Sequence, residues 1–180
     1  MSAGDLPTIT VARRHWRMLS PRWSHQPLSG EGAAKHGGRY NAPGVPALYM
    51  SEAFATAIAE YEQDLGIRPG TLCAYDAEAD GIVDLTAPET LSAIGLNPTD
   101  LVCPWKQIAL IDKKRPPTWD LADRLIASGA SGVRVPSVQA RSVKLVLWRW
   151  NAGPETPRVI ALDPLGDLPR DQSSWRPPSA

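Results

Sequence analysis

Residues 46–65 constrain the fold more than any other stretch. Pro46 to Ser51 is a short apolar run bounded by turn residues, which suits a strand, and from Ser51 to about Leu65 apolar residues recur at helical spacing. Ser51 is the type of residue that caps such a helix. This strand-to-helix junction follows a long stretch, residues 20–46, dominated by Pro, Gly, Ser and His. Loops of that length inside compact domains are usually shaped for function.

The rest of the chain reads as a mixture of strands and helices. Strands are expected from Thr8 towards residue 19, over Thr71–Ala77, Gly81–Leu85, Gly132–Pro136, Lys144–Asn151 and Arg158–Asp163, with helices over Pro88–Ile94 and Trp119–Ser128, the latter ended by Gly129. The order is neither a βαβ repeat nor a clean segregation. The expected class is therefore α+β, one domain over residues 1–180 with a bent or split mixed sheet flanked by helices, and residues 164–180 form a surface-wrapping or frayed tail.

Composition excludes several functions. Nineteen basic and nineteen acidic residues leave a formal net charge of zero, so no long-range field draws in nucleic acid or an anionic membrane. Cys73 and Cys103 have no metal-site spacing and are too few for a disulfide scaffold. Nothing near Met1–Asp5 reads as a leader, and no apolar run approaches the roughly 20 residues of a membrane span. A cytoplasmic protein without a metal is expected.

Chemistry concentrates in Gly37-Gly38-Arg39-Tyr40-Asn41, Ala47-Leu48-Tyr49-Met50-Ser51 and the following helix. A glycine pair lets the backbone approach a ligand, and the planar fork of Arg39 suits phosphate. Tyr40 and Tyr49 offer rings to stack on a base, although a strand tyrosine also suits the core. Alternation puts Tyr49 and Ser51 on one strand face. On the helix, Ala53, Phe54, Ala57, Ile58, Tyr61 and Leu65 form the apolar stripe; at about 100° per residue Glu52 and Glu62 fall well away from it, and Glu60 sits at its edge. A half-buried Glu60 beside small alanines suits stabilisation of the oxocarbenium-like cation formed when a ribosyl C–N bond breaks. Ser137, at the end of the Gly132 strand, suits either a turn or a ligand hydrogen bond. A serine nucleophile would want a histidine, and His15, His25 and His36 form no such pattern.

The ordered set Trp16-Arg17, Leu28-Ser29-Gly30-Glu31-Gly32-Ala33, Gly37–Asn41, Ala47–Ser51, Ala57 with Glu60, and Val135-Pro136-Ser137 resembles the RES domain family, named for its arginine, glutamate and serine and found in toxins of bacterial toxin–antitoxin pairs. The resemblance implies an ADP-ribosyltransferase-like fold and consumption of NAD as substrate, with ADP-ribose passed to water, phosphate or a protein acceptor. It assigns Glu60, Arg39 and Tyr49 to catalysis and Arg17, Arg39, Tyr40, Tyr49 and Ser137 to NAD binding. Tyr40 stands where tryptophan is common in relatives, and Arg141-Ser142 replaces a longer glycine-containing turn. The implied partner is an antitoxin with a helix-turn-helix DNA-binding part, so that no direct nucleic-acid contact is expected.

Two other classes stay open. Seven tryptophans and the Trp148-Arg149-Trp150 stretch suit a non-catalytic protein-binding module, unless both tryptophans fill the core from one strand face. Lys113-Lys114-Arg115 is a weak nucleic-acid signal and otherwise a solvated loop.

Overall fold

The computed structural model describes residues 6–62, 66 and 68–173. In chain order the elements are β1 (Thr8–Leu19), α1 (Glu31–His36), β2 (Leu48–Ser51), α2 (Phe54–Glu62), β3 (Thr71–Asp84), α3 (Pro88–Ile94), α4 (Pro117–Ala127), β4 (Gly132–Pro136), β5 (Val143–Leu147) and β6 (Arg158–Leu162). The six strands run β1-β2-β5-β4-β3-β6, and β1 also pairs with β3 along its length, so that β1-β2-β5-β4-β3 closes on itself. Of these pairs only β3–β4 is parallel. The α+β expectation with a bent mixed sheet holds.

One strand, β3, does the work that the sequence divides between two. Its Ala74–Glu78 stretch pairs with β6, and its Ile82–Asp84 stretch pairs with β4 on the same edge. Between them lies a bulge, where Ile9 faces Ile82 but Val11 faces Ala79. Gly81 takes up the bend at φ +70°, a backbone conformation that favours glycine. The acidic, glycine-containing break at residues 78–81 is therefore a kink and not an end.

Alternation along the strands sends side chains to two cores. Leu48, Met50, Tyr75, Ile82, Leu145 and Leu147 belong to one. On the other face Ala47, Val83, Val133, Val135 and Val146 meet Leu91 and Ile94 of α3 and Leu121 and Leu125 of α4. The sheet ends earlier than expected in β5, at Leu147. Trp148 and Trp150 therefore do not share one face: Trp148 is buried in the second core, while Trp150 packs against the first. Their indole N–H groups donate to the carbonyls of Tyr40 (2.8 Å) and Leu28 (3.1 Å), so both hold loops in place.

The junction after β2 also differs in detail. Ser51 remains in β2, paired with Lys144 and facing Trp16, and the helix starts only at Phe54, so Ser51 does not cap it. Phe54 is exposed; Thr56 and Ala57 are the buried residues of α2. Leu65, the expected end of the helix, lies outside the described residues, as does the tail beyond residue 173. Leu168, within the expected tail, packs against the first core. Among the described residues no helix is long and apolar enough to cross a membrane.

Glu52, expected on the outer helix face, instead precedes α2 and bridges Arg13 (2.6 Å) and Arg134 (2.7 Å), while Arg134 also reaches Asp84 (2.9 Å). Beside this network His15 is fully buried in β1. Its Nδ1–H donates to the Arg13 carbonyl at 3.1 Å, and its Nε2 has no partner among the described residues. Burial depresses the His15 pKa, because protonating Nε2 would place a charge in a site with nothing to solvate it; the Arg13 carbonyl and Glu52 oppose the shift.

The sign of the pH dependence follows. With the folded pKa below the unfolded value near 6.5, the unfolded chain takes up this proton first. The stability due to neutral His15 is present above about pH 6.5 and is lost as pH falls below it, by at most about 1.4 kcal/mol per pH unit. Urea unfolding of wild type and His15→Gln between pH 8 and 5 should show a shallower acid loss in the variant.

Candidate functional site

A cleft of about 470 Å³ opens between β1, β2, α2 and the Gly37–Arg39 turn, within the usual range for ligand sites. Glu60, in the last turn of α2, lines it with a side chain only 17% exposed. Its Oε1 accepts a hydrogen bond from Ser137 Oγ at 2.7 Å, and its Oε2 lies 2.9 Å from Lys144 Nζ. Ser137 stands just past β4, and Lys144 is in β5 opposite Val135, so the sheet register brings both to the carboxylate. The lysine pKa is lowered, first by burial and further by the charge of Arg39, against the pull of Glu60.

Ser137 makes the turn that its sequence suggested and also reaches Glu60. Its Oγ accepts the backbone N–H groups of Gln139 and Ala140 (both 3.2 Å), which makes the turn, and donates to Glu60. It holds one oxygen of the carboxylate, while Val138 lines the cleft.

Opposite Glu60 stand the arginines. Gly37 adopts φ +73°, and a Cβ on Gly38 would collide with the Tyr49 hydroxyl and with Asn41 Oδ1, 2.6 Å away. The turn is tied by Gly38 N–H to Asn41 O (2.9 Å) and by the Trp119 indole to Gly38 O (2.7 Å). From it Arg39 donates to the Cys103 carbonyl at 2.5 Å. Arg17, from β1, donates to the Ser29 (3.1 Å) and Pro27 (3.3 Å) carbonyls, and burial lowers its pKa. Among the described residues neither arginine has an ion-pair partner. Both therefore keep a formal charge that carbonyl dipoles only partly compensate.

The two tyrosines separate. Tyr49 lines the cleft with its ring, and its hydroxyl is spent: it accepts the Tyr40 N–H (2.9 Å) and donates to Asn41 Oδ1 (2.7 Å). Burial raises its pKa well above the ordinary phenol value, so it serves as a surface and not as a proton donor at neutral pH. Tyr40 is 1% exposed, turned into the core with its hydroxyl on the Leu101 carbonyl (3.2 Å). The structure takes Tyr40 out of the cleft, which corrects its expected ring contact with a ligand. Ser51 lines the cleft beside Tyr49, as strand alternation predicts.

Four charged or aromatic lining residues were missed in the sequence: Arg68, Trp105, Lys106 and Lys144. Trp105-Lys106 is an aromatic–basic pair that signals a binding loop, whereas Lys144 in an apolar strand gives no local signal. Among the described lining residues, five basic side chains (Arg17, Arg39, Arg68, Lys106, Lys144) face one carboxylate, Glu60. The cleft therefore suits an anionic ligand and offers one fixed negative charge to a cationic centre on it. The Ser-His alternative loses ground, since Ser137 Oγ engages Glu60 and His15 is sealed in the core.

Tyr49→Phe keeps the cleft ring but strands the Tyr40 N–H and Asn41 Oδ1. It should lower stability by about 1–3 kcal/mol in denaturant unfolding, in contrast to an exposed tyrosine replaced by phenylalanine.

Three comparisons bear on the site. The RES domain model matches residues 14–171. NAD(+) phosphorylase MbcT of Mycobacterium bovis and of Mycobacterium tuberculosis is 32% identical over 85 residues, 41% of this chain and 46% of the relative, so the matched stretch spans less than half of each. The M. tuberculosis MbcT-MbcA toxin-antitoxin complex contains a chain that superposes with a TM-score of 0.62 at 21% identity, covering 87% of both chains, a likeness of fold. With a family match over nearly its whole length, the chain belongs to the RES domain family.

Proposed function

We propose that this chain splits NAD at the nicotinamide–ribose bond and is the toxin half of a toxin–antitoxin pair. The observation that carries this is the single pinned carboxylate, Glu60, in a cleft whose other described charges are basic. Arg17 and Arg39 hold the pyrophosphate, and the Tyr49 ring packs on the nicotinamide side. Glu60 then faces the ribose as positive charge grows on it, with Ser137 keeping the carboxylate in place. The name of the similar NAD(+) phosphorylases supports NAD as substrate and phosphate as acceptor; water and a protein side chain are the other acceptors.

The likeness to a toxin–antitoxin complex supports a cognate antitoxin as partner. On this reading the protein acts in the cytoplasm, the antitoxin blocks the cleft, and a helix-turn-helix part on the antitoxin carries any DNA contact. The residues behind the other readings are engaged elsewhere. Trp148 and Trp150 bind backbone carbonyls inside the fold, and Arg115 pairs with Asp120 and Asp123.

The test is nicotinamide release from NAD by the purified chain, in phosphate and in phosphate-free buffer. Glu60→Gln should leave NAD affinity close to wild type and cut turnover by about 10²–10³, the usual effect of removing one charge-stabilising group. Wild-type turnover by Glu60→Gln would defeat the reading.

A further inference from the structure

We propose that Lys144 seats inorganic phosphate beside Glu60 and so decides whether the ribosyl centre is captured by phosphate or by water. The inference rests on the NAD-splitting reading above. It starts from an electrostatic conflict: the carboxylate that favours a cation at the anomeric carbon also repels a phosphate dianion approaching that carbon. Water meets no such barrier. A chain that uses phosphate therefore needs a cation in contact with the carboxylate and open to the cleft, and Lys144 is both, with Nζ 2.9 Å from Glu60 Oε2 and its side chain on the cleft wall.

Glu60 does not depend on Lys144 alone for its orientation, since Ser137 holds its other oxygen at 2.7 Å. Lys144 is in turn placed from the sheet, between Ser51 of β2 and Val135 of β4, and not from the helix that carries Glu60. An ammonium has three N–H donors, and among the described residues its side chain has Glu60 as its polar partner. Donors are left for an anion. Arg39 is near enough for its charge to act on Lys144, so an anion bound here relieves a repulsion already present in the cleft.

The chemistry balances with phosphate as the named co-reactant. A phosphate oxygen lone pair forms the new bond to the anomeric carbon as the carbon–nitrogen bond breaks, and that bond's electrons return to the pyridinium ring. Neutral nicotinamide leaves, with ADP-ribose bearing a phosphate on its anomeric carbon. Water makes the same exchange and loses a proton to solvent.

The experiment measures product partition. The chain is incubated with NAD over a phosphate titration, and ADP-ribose and its anomeric phosphate are quantified by mass spectrometry. In Lys144→Gln the ratio of phosphorylated to hydrolysed product at a given phosphate concentration should fall by about tenfold or more, as expected for loss of a charge-assisted contact. Lys144→Arg should retain most of the ratio, and Lys144→Met provides a second neutral variant if Lys144→Gln fails to fold. An unchanged ratio in the neutral variants, even with slower turnover, means that Lys144 only props Glu60 and overturns the proposal. Hydrolysed product alone from the wild type overturns it too, whereas no nicotinamide at all from the wild type defeats the NAD-splitting reading itself.

Discussion

The cleft depends on the pairing of β1 with two partners at once. Along one edge β1 runs against β3, and on the other Trp16 meets Ser51 of β2. Closing the sheet in this way lets α2, which packs on β1, bring Glu60 to the same opening as Arg17. Neither residue has a local reason to meet the other, being far apart in sequence and on different elements. Their placement at one opening follows from closure, and so would its loss if the β1–β3 ladder opened.

The same closure lets a chain of zero net charge concentrate basic groups at one opening. Elsewhere several arginines are spent on carboxylates: Arg13 and Arg134 on Glu52, Arg14 on Asp76, Arg115 on Asp120. The exposed pairs, Arg14–Asp76 and Arg115–Asp120, contribute little stability individually. In the cleft, by contrast, Arg17 and Arg39 meet carbonyl oxygens instead of carboxylates. Holding Arg17 and Arg39 this way costs desolvation free energy, which an anionic ligand would recover.

Legibility in the sequence followed range. Gly132–Pro136 and Pro88–Ile94 were readable because an apolar run and its stops lie within a few residues of one another. The stretch over residues 20–46 read as one long loop, but it contains α1, whose short run gave no helical signal; its Pro27 and Ser29 carbonyls hold Arg17. Glu60 was separable from Glu62 by helical phase alone. Glu52 was not readable, because its burial comes from Arg134, a residue 82 positions away. Tyr40 misled for a similar reason: the residue after Arg39 looks like a cleft residue, yet the carbonyls of Leu101 and the indole of Trp148 draw it into the core. The aromatic position in a glycine turn predicts a ring, but not the side to which it turns.

Lys144 is the sharpest case. In Val143-Lys144-Leu145 a lone lysine reads as the solvent side of a strand, yet it is buried. What makes a buried ammonium tolerable is the carboxylate beside it, and such a pair gives little net stability once both ions have been desolvated. An apolar residue at this position would pack in β5 without that cost, although it would leave Glu60 with one fewer hydrogen bond. Stability alone therefore does not account for the pair, and the difference lies in the cleft: with Lys144 present, Glu60 is a charge with a counterion in direct contact and in reach of the ligand.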